Sequence, residues 1–193
     1  MPFDLSFNLE LITGPALILL LAEQSIFCLH AGGVSFCTSQ KKIMNVAFLA
    51  DSGVGKSTLS KGTSSEWRQL CDDILPVQIK ESSVRLYHDF PQLKLEQARV
   101  KDSNLRDCHL DYIFCLNSNQ SDSIVIEEMS AVQSVLTLIR HTVASRLFDQ
   151  NLLKAHCAFA QSLSQAVPIF QVSYPRDYAQ LPELRQRIME SVT

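Results

Sequence analysis

Apolar residues in this chain fall into short runs separated by polar or glycine-containing breaks, and the runs alternate between strand-like and helical spacing. Residues 11–22 form the longest apolar run, broken by Thr13 and Gly14. Residues 25–30 and 33–38 predict two short β-strands, separated by Ala31-Gly32-Gly33. A polar turn at 39–42 leads into 43–49, whose near-continuous apolar character predicts a strand buried on both faces. Residues 58–61 start like a helix, which ends near Gly62 or shortly beyond it. A strand-like run at 67–71 leads into Asp72-Asp73, and residues 74–80 and 84–88 then predict paired strands around Glu81-Ser82-Ser83. Pro91 closes that region, and residues 95–110 are charged without clear period, reading as loops or a short helix.

Residues 112–116 and 123–126 predict two further strands. Residues 130–148 predict a helix with Val132, Val135, Leu136, Ile139, Val143 and Leu147 at helical spacing and Ser130 as N-cap. Residues 151–167 predict another, with Leu152, Leu153, Cys157, Phe159, Ala160 and Leu163, stopped by Pro168. A strand at 169–174 and a closing helix at 183–192, opened by Pro182, complete the pattern. This is a mixed α/β domain over residues 25–193, preceded by a lead segment at 1–24 that packs on it.

The richest chemistry follows the strand at 43–49. Ala50-Asp51-Ser52-Gly53-Val54-Gly55-Lys56-Ser57, with Thr58 after it, has the strand, glycine loop, Lys-Ser and helix of a nucleotide phosphate-binding loop. Gly53 and Gly55 permit turns closed to other residues, so that successive N–H groups face phosphate oxygens. The following helix contributes its unpaired N–H groups and the positive end of its dipole. Lys56 is placed to reach the β- and γ-phosphates, and the Ser57 hydroxyl to ligate Mg²⁺. The usual loop opens with glycine and this one with Ala50, which is tolerated if residue 50 keeps a negative φ. The bland alternative is a chance glycine turn.

Other residues carry chemistry only in combination. In Asp72-Asp73 a carboxylate beside Mg²⁺–ATP can hold the metal or accept a proton; alone, the pair reads as a solvated turn. His30 stands at a strand end before a flexible turn, as an active-site or a structural histidine. His88, His109, His141 and His156 have no metal-like spacing and read as surface or helix residues. Glu96 and Arg99 could reach metal or phosphate, or lie in a solvated loop. Arg176 could bind phosphate or pair with Asp177.

Bulk properties narrow the setting. The chain has 193 residues, enough for one domain with a full core. Its net charge of −3 gives no reason to expect nucleic acid as a partner. The six cysteines form no C-x-x-C pair, and Cys28, Cys71 and Cys115 lie in apolar runs, as buried reduced thiols of a cytoplasmic protein do. The run at 11–22 is too short to span a bilayer, and Asp4 and Glu10 before it argue against a signal peptide. The run reads as a segment that packs on the domain, with membrane contact as the minor alternative.

Leu29-His30-Ala31, the loop from Ala50 to Ser57, and Cys71-Asp72-Asp73, in that order, resemble the catalytic domain of HPr kinase/phosphorylase. Its pattern is His-Gly, Gly-Asp-Ser-Gly-x-Gly-Lys-Ser and Ala-Asp-Asp. The small HPr-kinase-like serine kinases, such as lasso-peptide precursor kinases, are more similar still. They share Phe90-Pro91-Gln92-Leu93-Lys94-Leu95, a Val-Pro stretch here at 167–172, and Tyr174-Pro175-Arg176-Asp177. The resemblance covers about residues 25 to 190. It implies a P-loop kinase domain of the HPr kinase C-terminal type, with a phosphoenolpyruvate-carboxykinase-like fold: a mixed β-sheet with flanking helices. It also implies ATP-dependent phosphorylation of a serine hydroxyl. Under it Asp72 is the catalytic base, His30 and Lys56 are active-site residues, and Ser57, Asp73 and Glu96 hold Mg²⁺. Glu96 stands where the family has Leu-Glu-Ile-Arg-Gly, of which the Ile, Arg and Gly are absent. The family's separate N-terminal domain and its HPr-docking signature are also absent. The implied acceptor is thus a serine of a peptide, protein or small molecule. Relatives often assemble, so a homo-oligomer is an open state. The competing classes are a catalytically weak nucleotide-binding regulatory or assembly module, and an ATPase.

Overall fold

The structure is a computed structural model and describes residues 5–60, 67–81, 83–87, 108–117, 121–175 and 177–192. In chain order the elements are α1 (Leu5–Glu23), β1 (Ile26–Cys37), β2 (Ile43–Leu49), α2 (Lys56–Ser60), β3 (Trp67–Cys71), β4 (Ile74–Lys80), β5 (Ser83–Leu86) and β6 (Cys108–His109). Then come β7 (Tyr112–Asn117), β8 (Val125–Glu128), α3 (Ala131–Arg140), α4 (Gln150–Ala166), β9 (Ile169–Ser173) and α5 (Leu181–Ser191). The strands form one mixed, open sheet in the order β6-β5-β4-β1-β2-β7-β9-β8, with β3 also paired to β1. The β2–β7 and β7–β9 pairs are parallel and the remaining pairs antiparallel. The fold is α/β with helices against both faces.

The period-2 alternation of strand side chains divides the core in two. From β2, Ala47 and Leu49 join a cluster with Phe27, Leu29, Ile113, Leu138, Phe159 and Leu163, under α3 and α4. Val46 and Phe48 point the other way, into a cluster with Phe36, Trp67, Phe114, Leu184 and Ile188, under α5. A strand buried on both faces needs apolar residues at almost every position, which is why 43–49 reads as a continuous run. Each fully buried Leu or Phe contributes about 1.5–3 kcal/mol. The lead segment becomes α1, and Ile18 and Ala22 bury against the domain. No described helix is long and apolar enough to cross a membrane.

Several element boundaries differ from the sequence expectation: Cys108–His109 form a short strand where loops or a short helix were expected, the strand expected at 123–126 is Val125–Glu128, and two larger differences shape the site. Residues 25–30 and 33–38 are not separate strands but parts of one, β1. The glycines between them serve close approach rather than a turn. A Cβ on Gly33 would stand 2.9 Å from the Cys71 sulfur, and one on Gly32 would stand 3.2 Å from Ser60 Oγ. The partner of β1 also changes here, from β4 at Ile26–His30 to β3 from Gly33, with a register shift between Gly33 and Val34. The helix expected over 130–148 stops at Arg140. Its capping box with Ser130 and Gln133 forms, but His141-Thr142-Val143 leave to pair with β1. His30 N–H donates to His141 O at 2.7 Å, and Val143 N–H to Cys28 O at 2.8 Å. Ala144 then turns in the left-handed region, with φ 59°.

The buried side chains also differ from the expectation. Val132 and Leu136, expected in the core, are 70% and 61% exposed, whereas Ser134 and Leu138 are buried. Leu153 and Cys157 on α4 are exposed as well, and Leu147 lies outside α3 altogether. His141 and His156, read as surface or helix residues, are both buried, His156 as a residue of α4; its Nε2 shares a 2.8 Å hydrogen bond with Thr142 Oγ1. Cys28 and Cys71 are buried as expected, while Cys115 is half-buried, and all six cysteines are free thiols.

The packing at Gly33 is directly testable. Gly33→Ala should destabilise the fold by about 1–3 kcal/mol, the usual cost of an added methyl in a close-packed site. Cys71→Ala in the same chain should recover much of that loss, because it removes the atom the methyl meets. A double-mutant cycle by urea unfolding measures the coupling, and additive losses would show that the contact is not the cause.

Candidate functional site

Strand registers bring the chemistry-bearing residues to one edge of the sheet. Strands β2, β7 and β9 are parallel, so Leu49, Asn117 and Ser173 end on the same side. Strand β1 is antiparallel to β2 with Ala31 opposite Leu49, which sets His30 beside the start of the loop after β2. Strand β3 is antiparallel to β1, so Cys71 and the acids after it reach that edge too. Ala31 N–H donates to Asp73 O at 3.1 Å and fastens the acidic turn to β1. Ligand sites in open α/β sheets lie outside the carboxyl ends of parallel strands, the edge found here.

The 50–57 loop has the conformation its glycines allow. Gly53 and Gly55 adopt φ of 84° and 110°, values strained for any residue with a side chain. Ala50 is not among the described residues with positive φ, and its methyl is buried with Val46, Phe48 and Leu59. A methyl at this position therefore costs the loop nothing in backbone strain. Lys56 is buried, and its Nζ donates to Ala50 O at 2.6 Å, folding back over the loop. Asp51 lies at the surface in a 2.6 Å ion pair with Arg140 at the end of α3. Ser52 is exposed, and Ser57 and Thr58 are half-buried.

The loop is braced from the far side of the sheet. Tyr174, just beyond β9, donates its hydroxyl to Val54 O at 2.8 Å. Arg185 on α5 donates to Thr58 O and Leu59 O, each at 3.2 Å, with its guanidinium 5.8 Å from the Trp67 ring centre. Such a cation–π contact adds about 0.5–1 kcal/mol or more when shielded from water.

The two acids differ in exposure as the bend after β3 dictates. Asp72 is 1% exposed, while the Asp73 side chain is half-exposed and meets His30 Nε2 at 3.0 Å. Asp72 Oδ1 accepts from Gln69 Nε2 at 3.4 Å, and the same amide reaches Ser60 Oγ at 3.4 Å. Ser60 is three residues after Ser57, so the two serines share one face of α2. Asp72 and the α2 residue Ser60 are thus linked through one amide, that of Gln69. A hydroxyl with one or two carboxylates, completed by water and phosphate oxygens, is a donor set suited to Mg²⁺. Among the described residues no group of three or more His, Cys, Asp or Glu gathers as a self-sufficient metal site. Glu96, Arg99, His88, Arg176 and the Phe90–Leu95 stretch lie outside the described residues.

Two groups at this edge were not singled out from sequence. His141 is buried behind the loop, and burial holds its pKa down at about 4, with Asp51 opposing and Arg140, Lys56 and His30 reinforcing the shift. Arg140 reaches the loop across 89 positions of chain. Neither has a local signature, because each acquires its place from the early end of α3.

The histidines give a pH prediction. His141 is depressed in the folded state, so its neutral form is favoured on folding. Between pH 6.5 and about 4 the unfolded chain binds the proton first, and stability falls as the pH falls. His156, depressed by burial, acts with the same sign. His141→Asn should flatten this part of the profile by up to about 1.4 kcal/mol per pH unit, measured by urea unfolding at pH 7 and pH 5. An unchanged difference between the two pH values would remove His141 as a source of acid sensitivity. In comparisons with protein-family models and with curated proteins, nothing matches this chain.

Proposed function

We propose that this chain is an ATP-dependent kinase that phosphorylates a serine hydroxyl of a peptide, protein or small molecule. The observation that carries the reading is the loop itself. Two glycines at positive φ are followed directly by a buried lysine at the carboxyl edge of a parallel strand, with a buried aspartate packed near the same helix. The motif resemblance to HPr-kinase-like serine kinases supports it at those same residues, in the same order. The fold of a P-loop kinase belongs to this proposal, beyond the mixed α/β sheet itself.

In this reading Lys56 exchanges its bond to Ala50 O for phosphate oxygens. Its present partner is a neutral carbonyl, and a charge-assisted bond to phosphate is about twice as strong. The backbone N–H groups from Gly53 to Thr58 hold the phosphates in place. Ser57 and Asp73 would hold Mg²⁺, which would supply neutralisation of the phosphate charge. Asp72 takes the serine proton as the oxygen bonds to the γ-phosphorus and the bond to ADP breaks. His30 orients Asp73 through their 3.0 Å contact.

Lys56→Ala should weaken ATP binding at least tenfold, about 1.4 kcal/mol, by calorimetry. Asp72→Asn should leave Mg²⁺–ATP binding nearly intact and slow transfer by about a hundred- to ten-thousand-fold, the range of a general base. Labelled ATP with candidate serine acceptors, followed in single turnover, reads the second effect. Retention of more than about a tenth of the rate would exclude Asp72 as the base. Phosphate release without transfer to any acceptor would favour the ATPase reading. Binding without turnover would favour the regulatory module.

A further inference from the structure

A small open pocket lies beside the loop, on the side away from the acids. Gly53, Val54, Gly55 and Thr58 form one wall, and Tyr174, Asp177 and Leu181 form the other. The second wall belongs to the corner between β9 and α5. In the sheet β9 is separated from β2 by β7, whereas β1, which carries His30 and anchors the acidic turn, pairs with β2 on its opposite flank. The loop therefore has two different sides. One is acidic and holds the groups suited to phosphoryl transfer. The other has an apolar wall and a single carboxylate.

We infer that this second side receives the sugar and base of the nucleotide, with Asp177 accepting from the ribose hydroxyls and Leu181 covering the ring. The inference rests on the phosphate-loop reading and gives it a direction: γ-phosphate toward Asp72, nucleoside toward Asp177. Thr58 is a pocket wall and follows the Lys-Ser pair, so the pocket opens where the phosphate chain leaves the loop. Tyr174 cannot swing away from the loop without losing its bond to Val54 O, so this wall is fixed before any ligand arrives. Asp177 Oδ1 accepts from Ala179 N–H at 2.9 Å, which sets the direction of the carboxylate. A carboxylate offers about four acceptor positions, so capacity remains for two hydroxyl donors. Being an acceptor only, it selects a ligand group that donates. A ribose does so and a phosphate oxygen does not.

The test compares ATP, 2′,3′-dideoxy-ATP and inorganic triphosphate, each with Mg²⁺, by calorimetry on the full chain. Asp177→Ala should weaken ATP about tenfold, the usual loss of a charge-assisted pair of bonds. It should leave dideoxy-ATP and triphosphate unchanged. Leu181→Ser should weaken both nucleosides and spare triphosphate. Asp177→Asn, which retains an acceptor for Ala179 N–H, checks that the corner still folds, and it should weaken ATP less than Asp177→Ala does. Equal loss for ATP and triphosphate in Asp177→Ala would overturn the inference, since the residue would then serve the loop and not the sugar. Unchanged ATP binding in both Asp177→Ala and Leu181→Ser, while Lys56→Ala weakens ATP and triphosphate alike, would place the nucleoside elsewhere and leave the phosphate-loop reading standing. No effect of Lys56→Ala on either ligand would remove that reading and this one together.

Discussion

Backbone hydrogen bonds between β1 and β2 set Ala31 opposite Leu49, and the positions of the other groups at the site follow from that register. Strand β1 is the only described strand with three partners: β2, β3 and β4. It accommodates them by changing partner along its length, and the change falls at Ala31-Gly32-Gly33. A one-residue slip would send every side chain of β1 to the other face of the sheet. His30 would then leave the loop, and Leu29 would leave the core. The missing side chains at Gly32 and Gly33 let β3 and α2 close on the strand, which brings the acidic turn to the loop.

The loop after β2 is held closed by contacts that a phosphate chain could replace or retain. Lys56 spends its charge on the carbonyl of Ala50, at the root of the same loop. A buried ammonium without a partner would be costly, and the inward fold gives this one the carbonyls of Ala50 and Asp51. The ion pair of Asp51 with Arg140 is exposed on both sides and contributes little to stability, on the scale of surface pairs. The braces from Tyr174 and Arg185 differ in kind, being short bonds from half-buried or buried side chains to backbone carbonyls. They fix the loop's outer wall and leave the inner groups to rearrange. This asymmetry is consistent with a nucleotide lying across the loop from the acids to the β9–α5 corner.

Several features were legible because they depend on neighbours in sequence. The burial of β2 showed as an apolar run interrupted only by Asn45. The β4–β5 hairpin showed as two strands around a short polar turn, and Glu81 duly takes a φ of 53° there. Ser130 announced a helix start as an N-cap, and in the structure Gln133 completes a capping box with it. The end of α3 was not legible. Val143 continues the helical spacing, yet its N–H finds a better-placed partner in Cys28 O, on a strand more than a hundred residues earlier. Helical periodicity says nothing of such a competitor. The same pairing draws His141 into the interior, whereas Val132 and Leu136 are exposed because α3 packs through the face that carries Ser134 and Leu138.

The sequence by itself determined the alternation of strands and helices, the glycine loop with Lys56 and Ser57, and the presence of paired acids. These depend on local backbone freedom and on the period of apolar residues. The tertiary structure alone decided that Ala31-Gly32-Gly33 is a crossing point rather than a turn, and that Asp72 is buried while Asp73 meets His30. It also decided that Tyr174 and Asp177 face the loop from the other flank of β2. Those facts depend on strand order and register, which are set by the summed packing of two core layers, and no short stretch of the chain contains that sum.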